Sequence, residues 1–172
     1  MAETFVSSRL FPFERIFIAI TALLCGVVLA CLAILGPLFL GVVRYRTAEV
    51  INNQLIGQDL VNLFLLSPTL LLGGLGLFFK KSFAKYILMA TPLYLIYYSL
   101  SYTIGWEWGS SRYIGNNEKF TLYFLFILVG AVLILFYSLS IFPRGSFPRL
   151  RSRGLVIYSV VFSLFLSIFA SM

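Results

Sequence analysis

Few residues in this chain of 172 are equipped for chemistry, and most of those stand close together. Asp59, the sole aspartate, follows Gln58 and lies about one helical turn before Asn62. Arg44 and Arg46 precede them, and Tyr98 and Tyr102 recur at four-residue spacing further along. A carboxylate, two amides, two guanidinium groups and two phenols converging on one pocket would bind a polar ligand, with Asp59 paired to Arg44 or Arg46. The same residues also fit a plainer account, in which Asp59 caps a helix and an ion pair fixes a loop at a membrane surface.

What the chain lacks narrows the chemistry. There is no histidine, which removes His-ligated metals, His general bases and the usual Ser-His-Asp or Cys-His catalysis. A single aspartate excludes paired-aspartate proteolysis and aspartate-rich prenyl or phosphoalcohol transfer. Gly73, Gly74 and Gly76 sit in an apolar helix end, with no phosphate-binding loop around them. Cys25 and Cys31, six residues apart in one apolar stretch, point away from each other on a helix and are read as small buried hydrophobes. The expectation is a protein that is not an enzyme, with no cofactor and no metal.

The elements that position these residues follow from composition. Hydrophobic residues make up 60% of the chain and charged residues 11%, against about a quarter charged in soluble chains, so the chain belongs in a bilayer. Five apolar runs are long enough to cross about 30 Å of hydrocarbon: 16–43, 60–79, 86–105, 120–142 and 155–172. The fold class is all-α, a polytopic membrane helix bundle forming a single membrane domain over 1–172. A short amphipathic segment over 47–57 lies on the outer surface, begun by Thr47 and ended by Gly57.

Nine of the basic residues fall on one side of these spans and four, Arg44, Arg46, Arg112 and Lys119, on the other. The positive-inside rule then puts the N-terminus in the cytoplasm and the C-terminus outside. Arg144, Arg149, Arg151 and Arg153 occupy a Pro- and Gly-containing loop suited to anionic lipid headgroups on the cytoplasmic side. That loop and the topology signal account for the net charge of +7 without nucleic-acid binding. Trp106, Trp108 and Tyr113 fit the aromatic belt at the outer headgroups.

Small residues mark faces where helices approach closely. Ala22, Gly26 and Ala30 recur every four residues in the first span, and Ser159, Ser163 and Ser167 in the fifth, offering either packing seams inside the chain or subunit interfaces. On the third span Thr91, Tyr94, Tyr98 and Tyr102 share one face, which should turn into the bundle or towards the outer interface. Pro37, Pro68 and Pro92 interrupt three spans and free the carbonyls of Ala33, Phe64 and Leu88.

Tyr45-Arg46-Thr47, then Gly57-Gln58-Asp59-Leu60-Val61-Asn62-Leu63, then Tyr98 and Tyr102 before Gly105, resembles a loose group of uncharacterised prokaryotic multi-pass membrane proteins. The resemblance spans the first three membrane segments and implies a prokaryotic cytoplasmic-membrane location, with no activity attached. The expected function is a small accessory, scaffold or assembly subunit, working through helix–helix interfaces as a homo-oligomer or within a larger membrane complex. The alternative is an oligomeric transporter or channel with an outward-facing polar site around Asp59. A reporter fused after Met172 should be active only outside the cytoplasm; activity confined to the cytoplasm would invert the orientation.

Overall fold

The computed structural model describes residues 12–105 and 113–141, together with positions 157 and 160. The described residues up to Ile141 belong to one compact unit. Four helices in the described residues are long and apolar enough to cross a membrane. The fifth expected span, the serine ladder of Ser159, Ser163 and Ser167, the basic loop with Arg144, Arg149, Arg151 and Arg153, and Trp106 and Trp108 lie outside the described residues.

The first helix, α1 (Pro12–Leu35), opens on a proline whose missing N–H is an orphan at that position anyway, and carries Glu14 in its first turn. It stops well short of the Val43 end expected from hydropathy. Pro37 has no N–H to continue the ladder, and the chain folds back so that the amides of Leu40 and Val43 donate to the carbonyls of Ile34 and Leu35. Gly41 takes a left-handed conformation, φ +61°, in that reversal. Residues 36–48 are therefore a folded connection and not helix.

The second long helix runs as α2 (Glu49–Val61), a π-helical turn (Asn62–Leu66) and α3 (Ser67–Phe78). This corrects the expected separate surface segment over 47–57. Gly57 does not end a helix, because its neighbours on both sides stay helical and nothing lies within 4 Å of where a side chain would start. Ala48, not Thr47, precedes the first turn and gives no side-chain cap, and Asp59 lies inside α2. At the π turn the Ser67 amide donates to Asn62, one residue further back than in an α-helix, just before Pro68, which has no amide to donate. The helix closes where Lys80 turns left-handed, φ 57°, and the Lys81 amide reaches the Gly76 carbonyl.

The third span is interrupted as its proline dictates, into α4 (Ala84–Ala90) and α5 (Pro92–Leu100), followed by a second π turn (Ser101–Gly105). The Leu88 carbonyl that Pro92 leaves free accepts the Thr91 hydroxyl at 3.4 Å. A 3-10 turn (Asn117–Phe120) leads into α6 (Thr121–Ile141). Packing is cyclic: α1 on α3, α3 on α4, α5 on α6, and α6 back on α1. Consecutive long helices run antiparallel around one shared interior, with large apolar side chains such as Phe13, Phe64, Leu93, Leu122 and Phe136 turned outward.

Small residues set the closeness of these seams. Ala22 and Gly26 are buried inside the bundle, Ala30 only partly. The Gly26 carbonyl accepts a 2.7 Å hydrogen bond from Ser67. At Gly74 a Cβ would stand 2.9 Å from Leu23 Cγ and 3.0 Å from the Ala19 carbonyl oxygen. Gly74→Leu should therefore force α1 from α3 and destabilise the protein by about 1–3 kcal/mol. The outward Leu72→Ala should change stability by less than about 0.5 kcal/mol. Unfolding in mixed detergent micelles checks both values.

Candidate functional site

Three elements meet at the end of the bundle that carries residues 36–48 and 113–116. On α2, Asp59 and Asn62 are three residues apart and share a face, with Gln58 beside them. On the third span Tyr94, Tyr98 and Tyr102 rise at four-residue intervals and face the interior. The folded connection inserts Tyr45 between the two. Each tyrosine but Tyr98 donates to the α2 cluster: Tyr45 to Asp59 Oδ1 at 3.0 Å, Tyr94 to Asn62 Oδ1 at 2.8 Å and Tyr102 to Gln58 Oε1 at 3.0 Å.

The cluster is sealed. Asp59, Asn62 and Tyr98 have no exposed surface, Tyr102 1% and Tyr45 5%. The rings pack on one another, Tyr45 against Tyr102 at 4.6 Å between centroids and Tyr98 against Tyr102 at 4.5 Å, with Phe124 of α6 against both Tyr98 and Tyr102. Burial, then the neighbouring Tyr98, Tyr102 and Asp59, push the Tyr45 phenol well above its ordinary range, so it serves as a donor and not as an anion. The other carboxylate oxygen, Asp59 Oδ2, is buried with no hydrogen-bond partner among the described residues, as is Asn62 Nδ2. Oδ2 lies against the backbone of Gly36, where any side chain would collide with it.

A strap closes the mouth. Asn116 accepts from the Arg44 amide at 2.7 Å, donates its own amide to the Arg44 carbonyl at 2.9 Å and gives its side-chain N–H to the Val42 carbonyl at 2.8 Å. Asn117 adds a 3.1 Å bond to the Tyr102 carbonyl. Above them Arg46 pairs with Glu118 at 3.0 Å, in reach of solvent.

Of the candidate residues, the fold brings Gln58, Asp59, Asn62, Tyr98 and Tyr102 together and leaves Arg44 and Arg46 out. The expected ion pair does not form: Arg44 is exposed, Arg46 is taken by Glu118, and the partner of Asp59 is a phenol. Tyr45, Tyr94, Gly36 and Asn117 complete the site beyond the sequence candidates. Tyr45 had one signal, its place beside Arg46 in the Tyr45-Arg46-Thr47 segment, whereas Asn117 had none. Among the described residues no three His, Cys, Asp or Glu side chains group as a metal site.

The fold and site together define an all-helical bundle with a sealed tyrosine–carboxylate centre at one end. No family model, curated protein or solved structure matches the chain. Tyr45→Phe removes the one donor, among the described residues, to a buried carboxyl group and should cost about 1–3 kcal/mol. Arg46→Gln breaks an exposed pair and should cost about 0–1 kcal/mol. Detergent unfolding of the two variants reads the difference, and a larger loss for Arg46→Gln would mean that charge, not the phenol, holds this end together.

Proposed function

We propose that this chain is a multi-pass protein of a prokaryotic cytoplasmic membrane that conducts or transports a small cation, as an oligomer, through a polar site centred on Asp59 and closed at the outer end of the bundle in this state. The observation that carries this reading is the fully buried Asp59 carboxyl group, set among phenols and amides with one oxygen unpaired. Placing a carboxyl group in such surroundings is costly, and ionisable residues at that depth in membrane bundles mark ion and substrate paths. Two further features support it. Both π turns lie beside the site, one beginning at Asn62 and the other containing Tyr102, and such turns gather at functional positions. The charge asymmetry of the loops favours an outer position for this end of the bundle and so supports the reading.

An accessory or assembly role through the first-span ladder gains no support from packing that turns Ala22 and Gly26 into the bundle. Reconstitution of the full chain into vesicles, with sodium, potassium and proton fluxes read by entrapped dyes, tests the proposal. One of the three fluxes should exceed that of empty vesicles and fall at least about tenfold in Asp59→Asn, with helicity and elution unchanged. Vesicles silent to all three ions, from a protein that purifies at fixed ratio with a larger membrane partner, would assign it instead as an accessory subunit.

A further inference from the structure

The cluster around Asp59 constrains what can occupy it. A metal cation asks for about six converging oxygens, as calcium and magnesium sites show. Here the Asn62 and Gln58 side-chain oxygens and Asp59 Oδ1 each already face a phenolic hydrogen. An organic ammonium ion would need a gap between aromatic walls, yet Tyr45, Tyr98, Tyr102 and Phe124 fill that space with each other at 4.5 to 5.7 Å between centroids. Asp59 Oδ2 is left without a donor among the described residues, as are the Tyr98 hydroxyl and Asn117 Oδ1, and it rests against Gly36, where a Cβ would collide with it. Of these three oxygens the carboxylate is the one that takes up a proton in the ordinary pH range, and a proton needs only one oxygen.

We propose that the ligand of this site is a proton, taken up and released at Asp59 Oδ2. This rests on reading Asp59 as the functional centre and narrows the transported or coupling ion to one. In the step, hydronium in the water outside the strap is the source: it ends as water, and its proton ends on Oδ2. The Tyr45 hydroxyl keeps its own proton and its bond to Oδ1, and the carboxylate becomes a neutral acid. The groups facing Asp59 suit such a cycle. The connection supplies Tyr45 and the Gly36 backbone, the third span Tyr94, Tyr98 and Tyr102, while the 3-10 turn and α6 add the non-titrating Asn117 and Phe124. At the rim Arg46 pairs with Glu118, and Arg44 is exposed. No cation among the described residues forms an ion pair with Asp59, and its charge is free to change with its proton.

Infrared difference spectra of the full chain in lipid nanodiscs, recorded while pH is stepped across the neutral range, test this. The carbonyl stretch of a protonated carboxyl group should appear and disappear with pH, vanish in Asp59→Asn and persist in Arg46→Gln. In Tyr45→Phe, which keeps the carboxyl group but removes its donor, the band should remain and move to higher frequency. A titrating band that is unchanged in Asp59→Asn and unmoved in Tyr45→Phe overturns the proposal. So does Asp59-dependent sodium or potassium flux in vesicles with no titrating band, an outcome that leaves the transport reading standing. A titrating Asp59 in vesicles that pass no ion sustains the proton site and removes transport.

Discussion

A polar group shut away from water must find its partner within the chain, because an unpaired donor or acceptor in apolar surroundings costs as much as the bond it lacks. For the backbone this leaves helices, and the described residues are organised around four long ones. For side chains it leaves the phenol–carboxyl and phenol–amide bonds between the third span, the folded connection and α2. At Asp59 the requirement is met only in part. One of its oxygens is held by Tyr45 and the other by nothing among the described residues. Tyr45 and Gly36 lie directly against it, and the strap at Asn116 closes over that end of the bundle.

The helix irregularities fall into the same pattern. Pro37 ends α1 early enough for residues 36–48 to fold over the bundle, and that reversal delivers Tyr45. Pro68 follows the π turn that begins with Asn62, and Pro92 splits the third span two residues before Tyr94, the first of its inward tyrosines. Each proline removes one amide donor; beside Pro92 the Thr91 hydroxyl reaches the freed Leu88 carbonyl, while after Pro37 the Leu40 and Val43 amides satisfy the last carbonyls of α1, Ile34 and Leu35. The breaks redirect the backbone around the buried polar cluster without leaving it open to hydrocarbon.

Local rules read well where one residue's chemistry decides the outcome. The interruption at Thr91-Pro92 and the common inward face of Tyr98 and Tyr102 follow from proline's missing amide and from four-residue spacing. They failed where two locally good choices competed. Gly57 and Asp59 read as the end of one helix and the cap of the next, yet the chain continues straight through both, because packing of Leu55 and Asp59 into the interior outweighs the small local penalty of a glycine in a helix. Likewise Arg44 and Arg46 were the natural counter-charges by proximity in sequence. The fold instead gives Arg46 to Glu118, 72 residues away, where both groups keep some contact with water.

By itself the sequence determined that the chain is helical and apolar enough to span a bilayer several times, since hydropathy over about twenty residues is a sum over composition that no neighbour alters. It also determined which few residues were available for chemistry, because scarcity is a property of the list. Tertiary structure alone decided that Asp59 is wholly buried, that its partner is Tyr45 and that both arginines lie elsewhere. Those outcomes depend on where the reversal after Leu35 returns the chain and on which groups can stay hydrated, and both are set by distances between segments far apart in sequence.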